Sequence, residues 1–341
     1  MIPRLDISFS LKNQWAFCFG QAYAPAKGEY LLDHARSGII MALRAALPTG
    51  GRVGVVAYNC HTVANAVVES GCTPIFVDVT EDMHVDVQHL SVLEIDAIVV
   101  TNLFGIRNDI DAIRTVVGQK PIIVDNAHGY GLPAEGDFTV YSINQGKFPA
   151  LGEGGILYVN NPIYMDNINA QYDALKGYSI VQEAKLYVAM LLKVLMHTPW
   201  IYRALTLRLK QKRQSVACRQ QVVLRRMAKG VSRIYQRALP TISKEIAQQQ
   251  RNAQFVADRL LDQKMTQRAY YGENAFMLIA QTEEPEVLKN RLLQHGVETA
   301  THFARAIEWA TEFGYTPGKC PMAEQLTKKL VMIPTYKQID L

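Results

Sequence analysis

The chain has 341 residues, enough for one large domain and a smaller one with ample core. Its 49% apolar and 20% charged residues exclude a disordered chain, and a formal net charge of +5 without a nucleic-acid motif fits anionic small molecules or a membrane surface better than nucleic acid. Five scattered cysteines (Cys18, Cys60, Cys72, Cys218, Cys320) have neither C-x-x-C nor ladder spacing. They argue against a zinc site or a disulfide framework and fit a reducing cytoplasm.

Residues 1–30 show little pattern and read as an extended arm. Met1 to Asp6 is not followed by an apolar run, so no secretory leader is expected. Asp33 to Ser37 gives a polar start to a helix over Gly38–Leu47. A helix start carries free N–H groups and a positive dipole end, which can hold a phosphate. Arg36 either adds a two-pronged contact to that anion or caps and solvates the helix. Strands are predicted at Arg52–Ala57, Pro74–Val79, Ala97–Thr101, Pro121–Val124, Phe138–Ser142 and Gly155–Val159. Helices are predicted at Thr62–Ser70 and Asp109–Val117. Continuous β-branched runs between helices point to a mostly parallel sheet covered on both faces. Such sheets bind ligands at the carboxyl ends of their strands.

From 160 to 260 the chain reads as helical. Leu186 to Met196 is strongly apolar, Pro199 interrupts it, and Arg203 to Arg213 is basic and amphipathic. Between Lys185 and Lys244 there is no acidic residue. The apolar stretch is too short and broken to be a membrane span. It fits a buried helix, a dimer contact or an interfacial segment. After Ala275 the pattern returns to α+β, with strands at Ala275–Ala280 and Leu330–Ile333 around a helix at Glu286–His295.

The chemistry concentrates on Lys147. It lies in Tyr141-Ser142-Ile143-Asn144-Gln145-Gly146-Lys147 and is followed by Gly152-Glu153-Gly154-Gly155; Val124-Asp125-Asn126-Ala127-His128 stands upstream at a strand end. Pyridoxal 5'-phosphate (PLP) asks for this set. A lysine forms the Schiff base, an aspartate pairs with the pyridinium nitrogen, and a serine hydroxyl holds the phosphate. No histidine or cysteine grouping has metal-ligand spacing.

These residues resemble the DegT/DnrJ-type sugar aminotransferases, a PLP-dependent family of the aspartate-aminotransferase fold. The resemblance runs from about Ala35 to Tyr336 and weakens between about 165 and 220. The family's S-G-T-x-A-L is similar to Ala35-Arg36-Ser37-Gly38-Ile39, and its G-x-x-P-V-F-V-D to Gly71 through Asp78. Its h-l-y-G-x-x-x-D-x-D is similar to Asn102 through Asp111, and its E-D-A-A-Q/H to Val124 through His128. Its S-F-x-x-x-K…G-E-G-G matches Ser142 through Gly155. Its G-I-x-T-x-x-H-Y resembles Gly296 through Phe303, and its L-P-x-Y resembles Ile333 through Tyr336.

The resemblance implies an α/β chain of PLP fold type I: a mostly parallel seven-stranded sheet flanked by helices, with a smaller C-terminal α+β domain. The expected divisions are 1–165 (PLP-binding), 166–260 (helical, with an atypical basic and apolar insertion) and 261–341. Lys147 becomes the Schiff-base lysine and proton shuttle, Asp125 the partner of the ring nitrogen, and His128 a neighbour of the cofactor's 3'-oxygen. Ser142, with Asn144 close by, and the Arg36-Ser37 turn hold the phosphate.

The chain also departs from the family pattern. Ala35-Arg36 stands where the family has Gly-Thr. Cys60 aligns with the aromatic residue that stacks on the ring, with Tyr58 and His61 as substitutes. Leu224 replaces the asparagine that reaches the partner subunit's site. The implied activity is transfer of an amino group from an amino acid, glutamate by analogy, to a nucleotide-linked keto sugar in cell-surface glycan synthesis. Relatives that remove a hydroxyl carry histidine in place of Lys147. A regulatory PLP-binding protein, or another PLP reaction such as that of a lyase, stays open beside it. A cytoplasmic homodimer is expected, with peripheral membrane contact through 186–213 as an addition.

Overall fold

The computed structural model describes all residues except 1, 4, 5, 7, 8, 199, 200, 203–217, 302, 340 and 341. The basic run from Arg203 to Arg213 therefore lies outside the described residues. The central element is a seven-stranded sheet in the order β1-β7-β6-β5-β4-β2-β3. Its strands are β1 (Glu29–Leu32), β2 (Arg52–Val56), β3 (Thr73–Val77), β4 (Ala97–Thr101), β5 (Ile122–Asn126), β6 (Phe138–Ser142) and β7 (Gly155–Val159). Strands β2 to β6 pair in parallel, while β7 is antiparallel to both β6 and β1.

Strict alternation explains why both faces are buried. Ile98, Val100, Ile122 and Val124 enter one core, while Ala97, Val99, Ile123 and Val140 enter the other. The second core is closed by α2 (Ala35–Ala46), α3 (His61–Glu69) and α6 (Met165–Asp173), and the first takes up α5 (Ile110–Val117) beyond α4 (Val87–Ser91).

The N-terminal third corrects the reading of residues 1–30 as an extended arm. Leu11–Phe19 forms α1, capped by Ser10, whose hydroxyl accepts from the Asn13 N–H at 3.2 Å. Glu29–Leu32 forms the edge strand β1. The following helix starts at Ala35, three residues before the predicted start, so Arg36 and Ser37 lie in its first turn rather than in a preceding loop.

After β7, α7 (Ile180–Met196) opens with a full capping box between Ser179 and Gln182. Then α8 (Lys229–Asp262) leads to a second, antiparallel sheet in the order β10-β9-β8, made of β8 (Arg268–Tyr271), β9 (Met277–Gln281) and β10 (Leu330–Pro334). The helices α9 (Pro285–Gln294), α10 (Ala306–Thr311) and α11 (Pro321–Lys329) accompany it. Asp78, past the end of β3, accepts from the Met322 and Ala323 N–H groups at 3.0 and 2.8 Å. It thereby caps α11 and ties the small sheet's layer to the large one.

Three glycines set close approaches of the backbone around the strand ends. A Cβ on Gly155 would lie 2.2 Å from the His34 carbonyl carbon and 2.3 Å from the Ala35 nitrogen. Its absence brings the α2 N-terminus down onto β7. Gly155→Ala is expected to destabilise the protein by about 1–3 kcal/mol and to weaken PLP retention. Thermal melting and PLP titration read both effects, and a variant with unchanged retention would separate the α2 start from the site. Gly105 and Gly272 meet in the same way: a Cβ on Gly272 would lie 2.1 Å from the Gly105 carbonyl carbon.

Candidate active site

The carboxyl ends of adjacent strands collect buried polar side chains. Asp125 is the penultimate residue of β5, opposite Thr101 of β4, and Ser142 ends β6 opposite Gly155 of β7. Asp125 is buried. Its Oδ1 accepts from the Ala127 N–H at 3.0 Å and its Oδ2 from the Thr101 hydroxyl at 3.4 Å. Thr101 is itself held by the Asn59 amide at 2.9 Å. Burial pushes the Asp125 carboxyl above the usual carboxylate range, against the pull of Ala127, Lys147 and Thr101. No cation among the described residues lies within ion-pair distance of it. A buried carboxylate with this little support is costly unless a positive group approaches.

Lys147 sits on a tight loop folded back by the glycine-rich turn. Gln145 N–H donates to the Gly152 carbonyl at 2.7 Å, and Gly154 N–H to Asn144 Oδ1 at 2.8 Å. Asn144 therefore shapes the loop, and its own N–H reaches the Ser142 hydroxyl only at 3.4 Å. The Lys147 ammonium is disfavoured by burial, which lowers its proton affinity despite Cys60 and Asp125 nearby.

The hydrogen bonds give the same answer independently. His128 Nδ1 accepts from the Phe104 N–H at 3.2 Å, so a neutral ring carries its proton on Nε2. His128 Nε2 lies 2.5 Å from Lys147 Nζ. With the proton on Nε2, Lys147 must accept, and only the neutral amine has the lone pair to do so.

Around α2, Ser37 is wholly buried and its hydroxyl donates to Asp33 at 2.6 Å. Arg36 Nε is buried, and no described residue bonds to it; the same holds for both ends of the Gln145 side-chain amide. Buried polar atoms normally find a partner.

The three candidates for ring stacking are placed differently. Tyr58 is fully buried with its ring edge-on to Phe303 at 5.7 Å. His61 turns edge-on to Trp309 at 5.1 Å. Cys60 is half-buried and stands just before α3, with its sulfur accepting from the Thr62 hydroxyl at 3.1 Å. Burial pushes the Cys60 thiol up, but neighbouring His61, any positive charge on Lys147, and Thr62 outweigh it and bring it down to about 7. Alkylation of the apoprotein by iodoacetamide is expected to include Cys60, with a rate that rises through pH 7. Cys320, buried and pushed up to about 12, should stay unmodified. Peptide mapping checks this, and a Cys60 that titrates near an ordinary thiol would contradict it.

Sequence reasoning missed the aromatic box around His128. The imidazole is stacked at 5.2 Å on Phe104, lies 5.7 Å and 11° from Phe303, and is 5.2 Å from Phe276. These rings come from three distant segments. Phe104 and Phe303 stand inside quoted family motifs, the signal that could have found them; His302, in the same motif as Phe303, lies outside the described residues. Also missed was Asp6, which lines a small cavity with Lys147, Phe148, Gln249 and Tyr336. Burial raises its carboxyl above the ordinary range, against Lys337.

Comparison with known proteins adds to this geometry. A model of the DegT/DnrJ/EryC1/StrS aminotransferase family matches residues 32–341. The spore coat polysaccharide biosynthesis protein SpsC of Bacillus subtilis is 27% identical over 161 residues, a match that spans 43% of this chain and 41% of the relative's length. Among solved structures, the sugar aminotransferase CalS13 of Micromonospora echinospora superposes with a TM-score of 0.71 at 16% identity, covering 98% of this chain and 95% of that one. The E. coli GDP-4-keto-6-deoxy-D-mannose-3-dehydratase with bound hydrated PLP gives 0.70 at 15% identity, covering 99% and 96%. At these identities the structures establish the shared fold.

Proposed function

Because the chain belongs to the DegT/DnrJ/EryC1/StrS aminotransferase family, we propose that it transfers an amino group from an amino acid, glutamate by resemblance, to a nucleotide-linked keto sugar. The family's aminotransferases are PLP-dependent, and PLP is the cofactor here. The residues present fit it. A buried Asp125 without a cation suits a pyridinium nitrogen, and Arg36 Nε at the start of α2 suits a phosphate. Lys147 would hold the cofactor covalently through Nζ. Ser142 and Arg36 would hold its phosphate, Ser37 would join them on turning its hydroxyl from Asp33, and His128 would stand near its ring oxygen.

Bound PLP supplies a carbonyl that condenses with amines and a ring that draws electrons away from the reacting carbon. The chain supplies the rest. Asp125, as carboxylate, keeps the ring nitrogen protonated. Lys147, freed from its linkage, is a neutral amine in the contact seen with His128, so it can take a proton at Nζ and return it. His128 Nε2 steers that lone pair, and its aromatic box excludes water from the exchange. The observation that carries the reading is this Lys147–His128 contact at the carboxyl edge of the sheet.

The names of the relatives support the substrate class: one belongs to polysaccharide biosynthesis, another acts on a GDP-linked sugar. The active unit is proposed to be a homodimer, as the resemblance implies, in the reducing cytoplasm that the scattered cysteines fit. Amino transfer from glutamate is tested with keto sugars offered free and linked to a nucleoside diphosphate. Turnover is expected with the linked sugars; turnover with simple keto acids alone would overturn the substrate assignment.

A further inference from the structure

Two helices that catalysis leaves unused turn apolar faces outward. On α1, Leu11, Trp15 and Phe19 fall at i, i+4 and i+8, one stripe of the helix. On α7, Val181, Val188, Leu192 and Leu195 form another. These side chains are 52% to 81% exposed. The inner faces of the same helices are already used. Phe17, Leu186 and Met190 pack with Val231 and Ile234 of α8. Tyr187 joins the pair, its ring 5.3 Å from Phe17 and its hydroxyl 3.5 Å from Gln14. The two outward stripes thus belong to one layer laid over α8. Single exposed apolar residues are ordinary, but a run of three on one helix that includes a tryptophan, and a second run on the helix packed beside it, are not.

Charge decides what covers them. Lys12 on α1 and Lys185 and Lys193 on α7 are exposed beside the stripes. From Lys185 to Lys244 the chain has no acidic residue. The nearby Glu183 is occupied by the Lys229 and Gly230 N–H groups. If a second copy met this face through a two-fold axis, each basic patch would lie against itself, like charge on like. An anionic bilayer suits both parts: aromatic and leucine side chains settle at headgroup depth, and lysines lie among phosphates. No described helix is long and apolar enough to cross a membrane, so the contact is with its surface. We propose that α1 and α7 form a docking face for a bilayer rich in anionic phospholipid.

The full-length holoprotein is sedimented with phosphatidylcholine vesicles, with or without phosphatidylglycerol, at low and high salt. Binding is expected with phosphatidylglycerol at low salt and is lost with phosphatidylcholine alone. Trp15→Ser with Phe19→Ser, or Leu192→Ser with Leu195→Ser, should lower partitioning on the order of tenfold or more. Lys185→Gln with Lys193→Gln should lower it on the order of tenfold on anionic vesicles. All six positions are exposed, so circular dichroism should not change. No binding to anionic vesicles at low salt, or equal binding by every variant, overturns the proposal. So does light scattering in which the Trp15/Phe19 variant turns a dimer into a monomer, because a second copy then covers the face. Vesicle binding is read without substrate, so its failure and a failed amino-transfer assay are separate results.

Discussion

Lys147→Ala is expected to give a colourless protein that folds but turns over at least about 10⁴-fold more slowly, the upper range for loss of a positioned acid-base group, here compounded by loss of the covalent anchor. The fold should survive because two effects oppose each other. Removing Nζ loses the contact with His128 Nε2, which costs about 0.5–1.5 kcal/mol. It also removes an amine whose charged form burial disfavours. Absorbance, steady-state rate and a thermal melt separate the outcomes. A Lys147→Ala protein that stays yellow and active would place the reacting lysine elsewhere.

Asp125→Asn is expected to retain PLP but lose turnover by about 10²–10³-fold, the scale for removing one preorganised electrostatic group. A neutral amide cannot keep the ring nitrogen protonated. The apoprotein should respond in the opposite direction. The Asp125 carboxyl is raised by burial, so between the ordinary carboxylate range and its raised value the folded state binds more protons than the unfolded one. Stability therefore falls as pH rises through that window. Asparagine keeps an acceptor for the Ala127 N–H and carries no charge, so the apo variant should melt higher than the apo parent, by a margin that grows with pH. Normal turnover in this variant would make Asp125 a structural residue.

Much of the candidate site was legible because its parts are local. Asp125, Ser142 and Lys147 lie at strand ends or one loop beyond, and the sequence marks strand ends clearly where both faces are buried. Ala97–Thr101, Phe138–Ser142 and Gly155–Val159 were read residue for residue because they are short apolar runs with polar or glycine borders. The α1 helix was not legible, because its apolar residues lie on the outer as well as the inner face and no single-sided period appears. Strand β1 is buried at all four positions and shows no alternation. The aromatic box around His128 and the approach of Asp6 were hidden for another reason: they join segments more than a hundred residues apart, which only the packing of the small sheet against the large one brings together.

Borohydride reduction of the purified holoprotein, followed by peptide mass mapping, tests the central claim most directly. The account predicts that the pyridoxyl mass is fixed to Lys147 and that prior incubation with glutamate diminishes the label. A label on another lysine, or a protein that takes up no added PLP, would contradict it.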